Sequence, residues 1–211
     1  MCRNQYSLDG RKIKRHRVSL EYWSRENNIG DALAPIILDW MLEKKSIARN
    51  QEVKKTVHLL TVGSVLGMGR FYFDAVVYQP KSNPKDNTIG VIRHFKSVDS
   101  EVSDQLKKID TRTTDYKNFI DQICNCSKVI SSSLHGIILA ESYGIPAVFL
   151  QENMDNELIK FYDWYYSTNR KNIKIAYSIE EAIEMQPMAL PDLESMRKNL
   201  LEAFPYDLWE N

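Results

Sequence analysis

The spacing of apolar residues predicts alternating strands and helices in the first third of the chain. "VSLEYWS" (18–24) has the alternation of a strand. The next segment, "NNIGDALAPIILDWMLEKK" (27–45), brings apolar residues to one face at positions 36, 37, 40 and 41, which predicts a helix that Asp31 caps. "TVHLLTVGSVLG" (56–67) then predicts a buried strand that runs into a glycine-containing loop. These elements form a β-α-β unit.

Strands and helices continue to alternate from residue 88 onward. Strands are predicted over "TIGVIRHF" (88–95), "SKVISSS" (127–133), "PAVFLQ" (146–151) and "IKIAY" (173–177). Helices are predicted over 100–109, 115–126, 134–144, 156–168, 178–185 and 191–204, with Asp115 as the cap of the second. This alternation predicts an α/β fold with a Rossmann-like, doubly wound parallel sheet. A polar, proline-containing segment divides it into an N-terminal region (1–80) and a C-terminal Rossmann-like domain (81–211).

Composition narrows the class of protein. Of the 211 residues, 43% are apolar, and Lys+Arg and Asp+Glu number 28 each, so no nucleic acid partner is expected. No apolar window has the length of a membrane span, and the N-terminus lacks a signal sequence, so we expect a cytoplasmic protein, in which peripheral attachment to the inner face of the membrane stays open. Three cysteines, two of them separated by one residue, predict reduced thiols and no metal site.

The joint "SSSLHG" (131–136) is the strongest candidate for chemistry. It lies where a predicted parallel strand runs into a helix, and ligands of such sheets bind at that edge. The first N–H groups of the helix attract a phosphate or carboxylate, and His135 can carry a charge or move a proton near neutral pH. The alternative is an ordinary serine-capped helix with a structural histidine. The predicted anion-binding residues are Ser131, Ser132, Ser133, Leu134 and Gly136.

Four segments together resemble the polysaccharide pyruvyl transferase family. They are "NNIGDALAPIILDWMLEKK", "VGSVLGMG" (62–69), "IGVIRHF" (89–95) and "CNCSKVISSSLHGIILAESYGIPAVFL" (124–150), in the order found in that family. The resemblance implies a GT-B-like fold and transfer of a pyruvyl group from phosphoenolpyruvate to a sugar of an exopolysaccharide or cell-envelope glycan. It implies phosphoenolpyruvate as donor substrate with no further cofactor, and a glycan or lipid-linked saccharide as acceptor. A homo-oligomeric assembly is left open.

The resemblance also assigns roles to individual residues. His135 matches the histidine of the family's "LHG" motif and His94 that of a "PHY"-like segment, so both are expected to be catalytic. Ser133 stands where many members have arginine. Arg93 occupies the family's usual proline position, and it is expected either to supply a compensating charge for the donor or to be an ordinary solvated arginine.

Further residues are assigned to the acceptor side or the cleft. Asn28, Gly30 and Asp31 match the family's "N-x-G-D" signature, although Asp31 is equally well explained as a helix cap. Glu141, on the helix after His135, is expected to hydrogen-bond back into the cleft or to balance surface charge.

The segment between Gly69 and the strand at Thr88 is shorter than in most members of the family. This implies a truncated N-terminal domain and leaves two alternatives to the pyruvyl transferase. One is a glycosyltransferase that uses a sugar nucleotide, which needs a similar diphosphate-binding corner. The other is a non-catalytic family member that binds a glycan or a partner protein.

Overall fold

Five parallel strands form the main sheet of the protein. The computed structural model describes residues 16–21, 27–60, 78–80, 87–97, 99–152 and 158–210. The strands are β3 (Ile89–Ile92), β4 (Lys107–Lys108), β5 (Lys128–Ser131), β6 (Ala147–Leu150) and β7 (Ile175–Ala176), in the order β4-β3-β5-β6-β7. The prediction of an α/β fold with a Rossmann-like sheet is confirmed.

Helices cover both faces of this sheet. Successive residues of a strand point to opposite faces, so each strand contributes side chains to two separate clusters. Val91, Ile130 and Val148 pack with Ala182 of α5 (Ile179–Glu184) in one buried cluster. On the other face, Val129 and Phe149 belong to the larger core, which is shared with α2 (Tyr116–Cys124), α3 (Leu134–Ser142) and α4 (Leu158–Ser167).

The N-terminal region contributes a second sheet and one long helix. Strands β1 (Val18–Glu21) and β2 (Val57–Leu60) pair in parallel, apart from the five-stranded sheet. Helix α1 (Ile29–Glu43) buries its apolar face in the same core as α2 and α3. At the other end of the chain, α6 (Glu194–Ala203) leads into a 3-10 helix (Tyr206–Trp209), where the Trp209 carbonyl accepts a 2.6 Å hydrogen bond from Gln51. The division into two domains at residue 80 stays a prediction.

Two local predictions are wrong. The cap of α1 is Asn28, whose side chain accepts the N–H of Gly30, so Asp31 lies inside the first turn. Residues 100–109 form no helix, because the chain turns at Ser103–Leu106 and then pairs as β4 with the edge of β3. The glycine segment 62–69 and most of the polar linker, 81–86, lie outside the described residues.

Asp115 does cap α2, where its side chain accepts the N–H of Asn118. Gly144 closes α3 with a positive φ of 76°, a conformation that favours glycine. None of the described helices combines the length and the apolar character that a membrane crossing requires.

Candidate functional site

The strand order fixes where a ligand can enter. After β3 the chain proceeds to β4 at one edge, whereas β5, β6 and β7 extend the sheet in the opposite direction. Such a reversal opens a crevice beyond the carboxyl ends of the two central strands. Those ends lie side by side here, with Ile92 paired to Ser131. The residues that follow each strand therefore meet at one edge.

Ser131 and Gly136 build the turn that joins β5 to α3. The buried Ser131 hydroxyl makes hydrogen bonds to the carbonyls of Ile92 (2.9 Å) and Ser133 (2.8 Å), and its oxygen accepts the Ser133 N–H (3.0 Å). A Cβ at position 136 would come within 2.5 Å of this hydroxyl oxygen and 2.7 Å of the Ile92 side chain. The prediction that Ser131 offers its hydroxyl to an anion is therefore wrong, because the turn itself uses that group. The glycine at position 136 is explained by close packing.

Ser133 is the N-cap residue of α3 and is buried, but its side chain makes no capping hydrogen bond. It leads into Leu134 and His135, both half-buried, in the first turn of the helix. Their predicted roles toward a donor anion stay predictions.

The two motifs that lie far apart in sequence meet at His135. A Cβ added to Gly30 would overlap the His135 imidazole, so the ring packs directly against the backbone of α1. Asn28 accepts the Gly30 N–H at 3.0 Å, and Ile29 donates its N–H to the Thr111 carbonyl at 3.0 Å. The first bond caps α1 and the second fixes the start of α1 to the segment after β4, so the start of α1 stays where Gly30 contacts the His135 ring at the start of α3.

Asp31 lies one residue beyond this contact and is only 8% exposed. Burial disfavours the ionised carboxylate and raises the pKa of Asp31 from 3.8 to about 6. A carboxyl group that changes charge near neutral pH therefore adjoins the junction of the two motifs.

A small cavity of about 60 Å³ opens at the carboxyl ends of β3, β5 and β6. The Ser132 hydroxyl accepts the N–H of His94 (3.0 Å) and donates to the carboxylate of Glu152 (2.5 Å), which orients all three residues around the space. The lining residues are His94, Lys96, Ser97, Ser132, Phe149, Leu150, Gln151, Glu152, Leu158 and Phe161. Two predicted site residues, His94 and Ser132, thus line the cavity, and His135 lies outside this set.

Arg93 forms an ion pair with Glu152, and both side chains are largely buried, at 12% and 15% exposure. Its backbone carbonyl accepts a hydrogen bond from the Thr111 hydroxyl at 3.1 Å. The charge that was predicted to compensate for Ser133 is therefore balanced within the protein.

Glu141 is buried away from the cleft. Its carboxylate receives two hydrogen bonds from Arg170, at 2.6 and 2.8 Å, and one from the Trp164 indole N–H at 2.7 Å. The prediction that Glu141 faces the cleft or balances surface charge is wrong, because it ties α3 to α4.

Comparison with known proteins identifies the family. The sequence model of the polysaccharide pyruvyl transferase family matches residues 39–154, more than half of the chain. The chain belongs to the polysaccharide pyruvyl transferase family. The match extends from the second half of α1 to the residues just after β6. It includes His135 and every residue that lines the small cavity except Leu158 and Phe161, and it excludes Asn28, Gly30 and Asp31.

Sequence similarity to curated proteins is confined to part of the chain. An uncharacterized protein of Acanthamoeba polyphaga mimivirus is 36% identical over 85 residues, which cover 36% of this chain and 30% of the viral protein. The chain thus matches less than a third of that relative's length. No solved structure matches significantly.

Sequence reasoning about this pyruvyl transferase family member missed Glu152 and Lys96. Glu152 follows β6 by two residues, and the ends of parallel strands meet at one edge, so its position after "PAVFLQ" was a usable signal. Lys96 had the same signal, because it directly follows the predicted strand "TIGVIRHF" (88–95), and in the structure a turn after β3 brings it to the cavity. Within the described residues, no group of three or more histidine, cysteine or acidic side chains could hold a metal ion.

Proposed function

We propose that this family member transfers a pyruvyl group from phosphoenolpyruvate to a pair of hydroxyl groups on a glycan. The observation that carries the proposal is the small cavity at the reversal of strand order, which is lined by His94, Lys96 and Ser132. Membership of the family supports a glycan acceptor. We further propose an acceptor from exopolysaccharide or cell-envelope synthesis, either free or lipid-linked, on the cytoplasmic side of the membrane.

The cavity suits one charged group of the donor. A volume of about 60 Å³ holds a few water-sized groups, enough for a phosphate or carboxylate but too little for a sugar ring. We assign the cation for this group to the exposed Lys96, which lines the cavity, in a protein whose Ser133 stands where the family resemblance implies arginine. Helix α3 begins two residues after the lining residue Ser132, so the positive end of its dipole lies at the same edge of the sheet.

The reaction needs one proton delivered to carbon and two hydroxyl groups. Protonation of the donor's methylene carbon makes it a methyl group and leaves an oxocarbenium-like centre at C2. One glycan hydroxyl attacks that carbon, and the second displaces phosphate to close the ketal. One of the two hydroxyl protons is balanced by the proton taken up at carbon, and the other leaves with phosphate. We assign the carbon protonation to His135, which α1 holds in place, and donor binding to His94 in the cavity.

Replacement of His135 tests this assignment. With saturating phosphoenolpyruvate and a panel of glycan acceptors, we expect His135→Asn to lower the rate of phosphate release about 100-fold, since general acid catalysis contributes on that order. His16→Asn is the matched control, because His16 bonds Thr56 far along the chain from the cavity residues. Full turnover by His135→Asn would withdraw the proton-transfer role.

A further inference from the structure

A second, larger cavity lies beside the first at the same edge of the sheet. Its volume is about 420 Å³, within the range of sites that enclose a small ligand. Leu150 and Glu152 line both cavities, so these two residues form a wall that the two spaces share. Ligands in the two cavities would therefore lie next to each other.

The second cavity has the opposite electrostatic character. Glu101, Glu152 and Glu180 line it together with one cation, Arg93. Because Arg93 pairs with Glu152, the carboxylates of the exposed Glu101 and Glu180 remain as net negative charge. A second anion is disfavoured there, whereas carboxylate oxygens are good acceptors for the hydroxyl groups of a neutral sugar.

An exposed aromatic ring completes this wall. Tyr177 follows β7 and is 66% exposed, although it is a large aromatic residue. Its backbone is fixed, since its N–H donates to the Glu181 carboxylate at 2.7 Å. The exposed ring on this fixed backbone offers an apolar face to the C–H groups of a sugar and a hydroxyl to its polar edge.

We propose that this cavity binds a neutral pyranose unit of the acceptor glycan, with Tyr177 as the stacking surface and Glu101 and Glu180 as hydroxyl acceptors. The inference rests on the proposed function, because it names the acceptor side of that reaction. Glu152, shared by both cavities, then lies between the acceptor's hydroxyl groups and the donor. This location differs from the one predicted from the "N-x-G-D" signature, whose Asn28 and Gly30 instead position His135.

Binding without any donor tests the site directly. Saturation-transfer NMR would measure the affinities of the methyl glycosides of glucose, galactose, mannose and N-acetylglucosamine, with methyl glucuronide as the anionic comparison. We expect at least one neutral glycoside to bind more tightly than the glucuronide. Tyr177→Ala should weaken that binding about tenfold, which corresponds to about 1.4 kcal/mol, and Tyr177→Phe should stay close to wild type because it keeps the ring.

Tyr166→Ala is the matched control, since Tyr166 is 57% exposed on α4 and lies outside the residues that line this cavity. Unchanged binding in Tyr177→Ala, an equal loss in Tyr166→Ala, preference for the glucuronide, or no binding of any glycoside would each overturn the inference. If glycoside binding depends on Tyr177 but the protein does not consume phosphoenolpyruvate, the sugar site is supported and the proposed function is contradicted. If the protein pyruvylates a glycan but Tyr177→Ala leaves the KM for the acceptor unchanged, the proposed function is supported and the sugar site at Tyr177 is contradicted.

Discussion

The buried carboxyl group of Asp31 makes stability depend on pH at the scale of a single residue. Its pKa rises from 3.8 to about 6 on folding, so the folded protein holds the proton more tightly than the unfolded chain does. The ionised form is therefore destabilising, and this contribution to the free energy of unfolding falls as pH rises from about 4 to 6. Below about pH 4 Asp31 is protonated in both states and does not lower stability. Above about pH 6 it is ionised and its full destabilising effect is present.

Asp31→Asn removes this titration. We expect the variant to be more stable than wild type at pH 7 by up to about 3 kcal/mol, and the difference to vanish near pH 4. Urea unfolding of both proteins between pH 4 and 8 measures the difference directly. A variant that is less stable than wild type at pH 7, or a difference that does not vary with pH, would contradict the assignment.

Residues at the joint illustrate what a sequence can predict locally. A serine-rich strand end before a helix predicts the location of the turn, and the structure has β5 and α3 on either side of it. The sequence does not reveal that the Ser131 hydroxyl donates a hydrogen bond to the Ile92 carbonyl, because that bond joins residues 39 positions apart. The contact between Gly30 and His135 depends in the same way on packing between distant segments.

At the scale of elements, Glu141 connects α3 to α4 through the Trp164 hydrogen bond and to the segment after α4 through a buried ion pair with Arg170. Arg170 lies against the Tyr165 ring, 4.5 Å from its centroid, and both of its terminal nitrogens bond the Glu141 carboxylate. Breaking a buried pair from one side leaves the other charge uncompensated, which costs about 3–5 kcal/mol.

We therefore expect Glu141→Gln to lower the free energy of unfolding by about 3 kcal/mol, with the kcat and donor KM of the proposed reaction unchanged in the folded protein. The exposed Glu184 on α5 offers the matched control, Glu184→Gln. Denaturant unfolding and steady-state kinetics on the same samples measure both quantities. If Glu141→Gln is as stable as wild type but has a much lower kcat, the structural role is contradicted and a role for Glu141 in the cleft is supported.

Elements were predictable where burial alone determines them. The apolar runs at β3, β5 and β6 are enclosed on both faces, as parallel strands are, and they match the predicted segments. The prediction of a helix over residues 100–109 was wrong because Val102, Leu106 and Ile109 have a spacing close to that of a helix. The conformation of Lys107–Lys108 is decided by their pairing with β3. The local pattern of apolar residues does not show which strand lies next to this segment.

At the scale of the whole molecule, the order of the strands brings the chemistry together. Residues after β3, β5, β6 and β7 come from four separate stretches of sequence, and they line two adjacent cavities of different charge. Helix α1 supplies a fifth stretch through its contact with His135. The family resemblance in the sequence predicted the reaction class, but the cavities required the fold, since Lys96, Glu152 and Tyr177 belong to none of the motifs.

Binding of phosphoenolpyruvate tests most directly whether the small cavity holds an anionic donor. A ligand that binds only the folded protein raises its melting temperature, so thermal unfolding with phosphoenolpyruvate and, separately, with UDP-glucose would be compared for wild type, Lys96→Gln and the exposed control Lys171→Gln. We expect phosphoenolpyruvate alone to stabilise wild type and Lys171→Gln, with an apparent affinity about tenfold weaker in Lys96→Gln because one charge-assisted hydrogen bond is lost. Stabilisation by UDP-glucose alone, or equal affinity of Lys96→Gln and wild type for phosphoenolpyruvate, would contradict the donor site.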